Sequence, residues 1–200
     1  RKIQASLRAD PPSHIGDRSV TAFHDRQAEN GVFGPITSET ERTSRDVLVF
    51  EMGENARIVL RPSGTEPKNK VYVELATDPN PNGEPPSAEI IEKTERACRR
   101  LGEDFIMAML ARVDIDLPRW SLAASEILSV EHKILLAHEI VPQLLLRLET
   151  AGLEIDRTRA WLAGELMVMG KDAAELVRPA LTAWATEEHP EVIPSLPHLL

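Results

Sequence analysis

Two strand-like runs, residues 56–60 and 69–76, bracket a short turn held between Pro62 and Pro67, and they limit the fold more than any other part of the chain. In the second run Val71, Val73 and Leu75 alternate with Lys70, Tyr72 and Glu74, which is the period of a half-buried strand. Antiparallel pairing of the two runs would fix the turn at one end of a sheet. The turn reads Arg61-Pro62-Ser63-Gly64-Thr65-Glu66-Pro67-Lys68-Asn69-Lys70. It gathers a guanidinium, two hydroxyls, a glycine and two ammonium groups, a donor set suited to a dianionic phosphate. Arginine offers a planar fork to two oxygens, hydroxyls add donors, and glycine admits close backbone N–H approach. The prolines stiffen the turn and lower the ordering cost of binding. Glu66 is expected to orient the loop, since a carboxylate repels a dianion at contact distance.

The rest of the chain divides at Asp116-Leu117-Pro118. Before it, residues 1–8 read as a helix end stopped by Asp10-Pro11-Pro12, and 19–24 as a strand. Residues 26–44 read as a long polar connection, and 46–52 as a strand turning through Gly53-Glu54-Asn55. A Pro- and Asn-rich linker over 78–86 leads to Ser87. This residue can cap a helix carrying Ile90, Ile91, Ala97, Leu101, Phe105 and Met109 at helical spacing. Strands followed by a helix imply an α+β unit over 1–116, a small antiparallel sheet with helices packed on one face. Residues 117–200 imply an all-α extension with helices over 125–151, 156–169 and 172–186, then an irregular Pro-rich tail. The apolar faces of these helices suit a self-packed bundle first, and a docking surface second.

Charge separates the halves too. The first hundred residues carry 15 Lys and Arg against 16 Asp and Glu, the second hundred 8 against 16, for a net charge of −9. Such an acidic balance, with only 4% aromatic residues, argues against nucleic-acid binding. The longest apolar run, 134–148, is interrupted by His138, Glu139 and Gln143 and is too short for a bilayer. One cysteine, Cys98, permits no intrachain disulfide, and a cytoplasmic setting is expected. His132 and His138 with Glu131 and Glu139 lack the spacing of a metal helix, so no metal site is expected. Trp120, Trp161, Trp184, Met107, Met109, Met167 and Met169 are expected to fill the core.

The turn, together with the following Lys70-Val71-Tyr72, resembles the phosphate-binding loop in the last domain of the α-D-phosphohexomutases. Upstream, Leu7-Arg8-Ala9-Asp10-Pro11-Pro12-Ser13-His14-Ile15-Gly16, then Val20 and Asp25, resembles the start of that domain in phosphoglucomutase/phosphomannomutase-type members. The resemblance covers residues 1–111. It implies that Arg61, Ser63, Gly64, Thr65 and Lys70 hold a substrate phosphate, with Lys68 a weaker candidate. It also implies a parent enzyme that moves phosphate between C1 and C6 of a hexose phosphate. In that chemistry a phosphoserine and Mg²⁺ act through a glucose 1,6-bisphosphate-type intermediate. The family's Thr-Ala-Ser-His-Asn-Pro, Asp-Gly-Asp-x-Asp-Arg and Gly-Glu-x-Ser-Gly-His loops do not occur here, and Asp114 to Arg119 mimics the second only faintly. The chain therefore reads as the C-terminal piece of a longer phosphohexomutase, inactive without its N-terminal domains. It has no catalytic or metal-binding residues of its own. The other reading is a non-enzymatic phosphosugar-binding module fused to a helical interaction domain.

Overall fold

Alternating apolar residues build one continuous buried sheet face in the first of two compact units, 1–115 and 116–200. The computed structural model describes residues 2–64, 68–77, 85–150 and 155–200. Helix α1 (Lys2–Ala9) buries Leu7 and stops ahead of the two prolines. A small hairpin, β1 (His14–Ile15) and β2 (Arg18–Ser19), turns through Gly16 at φ 59°. A side chain at Gly16 would be strained, and its Cβ would stand 2.3 Å from the Asp104 carboxylate. Sequence reading left this hairpin out and merged its end with the following strand.

The main sheet has the order β3 (Ala22–Asp25), β4 (Leu48–Glu51), β5 (Ala56–Pro62), β6 (Asn69–Leu75), antiparallel throughout. Leu48, Phe50, Ile58 and Leu60 point to one face and are fully buried. Against them pack Leu7 of α1 and Leu101, Phe105 and Met109 of α3 (Ala88–Ala111), one turn apart on a single helical stripe. Phe50 lies between Phe23 and Phe105, with ring centroids 5.2 Å away on each side. Ser87 caps α3, accepting from the Ile90 N–H at 3.3 Å. The first turns of α3 leave Ile90 and Ile91 exposed, so the apolar stripe reaches the core only from Leu101 onward. This is the α+β layer expected from the sequence.

The connection expected over 26–44 contains a helix, α2 (Glu39–Ser44). Ser38 accepts from the Glu41 N–H at 3.1 Å, and Glu41 accepts from the Thr37 N–H and hydroxyl at 2.8 and 2.6 Å. This is a variant of the Ser-x-x-Glu capping box in a polar stretch, with Glu41 reaching one residue past the N-cap to Thr37. The Thr37 bonds, with Arg45 beside them, hold the Glu41 carboxyl below its ordinary value. Arg45 also donates to the carbonyls of Gly34 and Phe33, at 2.8 and 2.9 Å. Arg8 ties α1 to the sheet through Asp25, at 2.9 Å, and through Asp46. Burial opposes the guanidinium charge, but these carboxylates outweigh it and raise its pKa.

The second unit is all helical. After a 3₁₀ turn (Arg119–Ala123) come α4 (Val130–Leu135), a π turn (Leu136–Ile140) and α5 (Val141–Thr150). Then follow α6 (Ile155–Leu166), a 3₁₀ turn (Met167–Met169) and α7 (Ala173–Glu187). The helix expected from residue 125 starts later, because Ser129, not Ser125, caps it. The tail expected to be irregular is ordered. Pro190 opens a 3₁₀ turn (Pro190–Ser195), α8 (Leu196–Leu199) follows, and Val192, Leu196 and Leu199 are buried. Prolines in first turns cost no hydrogen bond, so the Pro-rich composition misled. Trp120 and Trp184 are core residues, 6.5 Å apart, whereas Met167 is exposed and Trp161 carries Arg147 over its ring at 4.4 Å. The linker 78–84 and Gly152 lie outside the described residues.

Phe105 carries the contact between α3 and the sheet. Phe105→Ala should lower the stability of the first unit by about 3–5 kcal/mol in chemical denaturation. A loss under about 1 kcal/mol would mean the α3 contact is not what holds the sheet.

Candidate functional site

Strand register decides where the turn's side chains stand. Arg61 pairs with Lys70 across β5 and β6, and Pro62 with Asn69 closes the ladder. In an antiparallel pair, opposed residues project to the same face. Arg61 and Lys70 therefore stand side by side on the face away from the helices, and both are exposed. Like charges directly opposed destabilise a strand pair. Among the described residues, no carboxylate is paired with either. Four residues along the same face the arrangement differs: Arg57 meets Glu74, Nε and Nη2 donating to Oε2 at 3.1 and 2.5 Å.

The loop beyond these two cations is closed by the Ser63 N–H donating to the Lys68 carbonyl at 2.8 Å. The Ser63 hydroxyl oxygen is buried and, among the described residues, has no hydrogen-bond partner, an uncommon state for a buried hydroxyl. Gly64 is exposed, and a Cβ there would meet nothing within 4 Å. Crowding inside the chain does not account for a glycine at this position. Thr65, with Glu66 and Pro67, lies outside the described residues. Four of the five expected phosphate ligands can thus be placed: Arg61, Ser63, Gly64 and Lys70 fall at one sheet end.

A third cation joins this row. The Arg26 N–H donates to the Val47 carbonyl at 3.1 Å, extending the β3–β4 ladder by one residue. By continuation of the β4–β5 register Val47 falls beside Arg61, so Arg26, Val47, Arg61 and Lys70 form one row across the sheet. The Arg26 guanidinium lies 5.6 Å from the Phe33 ring centroid, with Arg45 at 5.5 Å. Arg26 was not legible as a site residue, because its place depends on pairing with a strand twenty residues away. The period-2 pattern of 22–26 was the available signal.

Elsewhere, His138 Nε2 lies 2.8 Å from the Asp116 carbonyl, and the Ser129 hydroxyl caps the His132 N–H. Among the described residues no cluster of three His, Cys, Asp or Glu stands close enough to hold a metal ion. Among them, too, no helix is long and apolar enough to cross a membrane.

Residues 18–80 match the family model described as phosphoglucomutase/phosphomannomutase, C-terminal domain. The chain is also similar to a probable phosphomannomutase of Haemophilus influenzae, 37% identical over 73 residues. That alignment covers 36% of this chain and 13% of the relative. No solved structure matches the chain.

The opposed cations generate a prediction of their own. Lys70→Thr should raise stability by about 0.2–1 kcal/mol at low ionic strength, with the gain fading as salt is added. Destabilisation at every salt concentration would show that Lys70 is neutralised by a group within the chain.

Proposed function

We propose that the region matched by the phosphoglucomutase/phosphomannomutase C-terminal domain model, residues 18–80, is such a domain, and that its β5–β6 turn grips the phosphate of a hexose phosphate. The observation that carries the reading is the Arg61–Lys70 opposition beside the partnerless Ser63 hydroxyl. Each of these is unfavourable by itself and becomes favourable around a dianion. Phosphate oxygens would accept from both cations and from the Ser63 hydroxyl, turning a repulsive pair into a bridged one. The open space at Gly64 leaves room for the anion against the backbone. Thr65 completes the donor set.

The parent we infer is a longer phosphohexomutase that transfers phosphate between C1 and C6 through a bisphosphorylated sugar. Within it, this domain holds the phosphate that is not reacting. Binding energy gained at that remote group positions the reacting end of the sugar and favours closure over it. A phosphate clamp also tolerates a sugar that binds in two orientations, since it reads charge and not hydroxyl stereochemistry. Mg²⁺ is implied for a whole phosphohexomutase, and among the described residues no cluster of three His, Cys, Asp or Glu stands close enough to hold it. The neighbouring domains of the parent would supply the phosphoserine and further contacts to the sugar, and the chain alone would not turn over substrate.

Calorimetric titration with glucose 1-phosphate tests the reading. Binding should weaken roughly tenfold or more in Arg61→Ala, as expected for loss of a charge-assisted hydrogen bond. Equal affinity in the folded wild type and variant would remove Arg61 from the site.

A further inference from the structure

The outer face of the main sheet is graded along its strands. At the turn end lies the cation row of Arg26, Arg61 and Lys70. Two residues further along each strand the row is His24, Val49, Val59 and Tyr72. Two residues beyond that it is Ala22, Glu51, Arg57 and Glu74. On β5 and β6 the face therefore passes from paired cations, through an apolar and aromatic step, to a carboxylate–guanidinium pair. Successive rows are about 6.6 Å apart, two strand residues.

Tyr72 is the step's principal surface. It is 46% exposed, it stands opposite Val59, and it is the only tyrosine of the chain. A Val–Tyr cross-strand pair stabilises a sheet wherever it occurs. That role accounts for the residue types but not for their position between a dianion-suited row and a hydrogen-bonding row. The same order of groups, anion acceptor, apolar plate, polar fork, is the complement of a phosphorylated sugar laid along the strands.

We infer that Tyr72 and Val59 form a platform for the pyranose ring of a hexose phosphate whose phosphate lies between Arg61 and Lys70, with Arg57 and Glu74 facing its far hydroxyls. The inference rests on the phosphate reading given above and adds a sugar subsite to it. The C–H groups on one face of a pyranose pack on an aromatic ring as other apolar groups do, and Val59 continues that surface on the next strand. Glu74 accepts from hydroxyls and Arg57 donates to them, and each already orients the other through their ion pair. Tyr72 is here a positioning residue. It would set where the sugar lies relative to its phosphate, and it would add affinity that inorganic phosphate cannot use.

The single tyrosine makes the test direct. The 200-residue chain labelled with 3-fluorotyrosine carries one fluorine reporter, at position 72. Inorganic phosphate and glucose 1-phosphate are titrated in parallel, with heteronuclear Overhauser contacts measured from sugar ring protons to the fluorine. Expected are binding of both, tighter binding of the sugar phosphate, and ring-proton contacts to the reporter. Tyr72→Val should weaken glucose 1-phosphate roughly three- to tenfold while leaving inorganic phosphate unchanged. If both bind equally well and no ring proton contacts the fluorine, the platform is overturned and the phosphate clamp stands. If neither binds to the folded chain, the clamp reading fails and the platform with it. Should Tyr72→Val not fold, Glu74→Gln and the labelled wild type decide the matter. Contacts from the ring with a selective loss in Glu74→Gln support the subsite, and their absence overturns it.

Discussion

The register between β5 and β6 is the constraint on which the site depends. It places Arg61 against Lys70, Arg57 against Glu74 and Val59 against Tyr72. A slip of β5 by one residue would turn Arg57, Val59 and Arg61 into the core and bring Ile58 and Leu60 to the surface. The buried face prevents that slip. Leu48, Phe50, Ile58 and Leu60 are covered by α1 and α3, and moving them into water would cost about 1.5–3 kcal/mol per side chain. Packing on one side of the sheet thus fixes chemistry on the other.

This division of labour tolerates two local costs at the turn. Among the described residues, a like-charged pair faces solvent without a neutralising carboxylate and a buried hydroxyl has no partner. Several other cations of the unit are matched: Arg8 with Asp25 and Asp46, Arg45 with Glu41, Arg57 with Glu74. Two such costs meeting at one sheet end, in a loop anchored by rigid strands, mark a place where a binding site is to be sought.

Much of this was legible in the sequence because it is periodic. Strand alternation over 56–60 and 69–76, the Leu101–Phe105–Met109 stripe and the Ser87 cap all carry local signals, and the structure follows them. The donor-rich composition of the turn, Arg61 to Lys70, is likewise readable in the sequence. What escaped depended on long-range pairing or on misleading composition. The β1–β2 hairpin is two residues per strand and leaves no periodicity to read. The Ser38 cap, with Glu41 bonded back to Thr37, lay inside a polar stretch, and the ordered tail lay among prolines. Arg26 entered the cation row only through a ladder that joins residues twenty apart.

The central claim is that the Arg61–Lys70 row and the Ser63 loop together form one anion site. The most direct measurement is amide chemical-shift mapping of the ¹⁵N-labelled chain as inorganic phosphate is added. Saturable shifts concentrated on Arg61, Ser63, Gly64 and Lys70, weakening as salt is raised, are the expected result. Shifts that grow linearly and spread over cations throughout the chain would contradict it, because they would mark phosphate as a diffuse counterion with no site of its own.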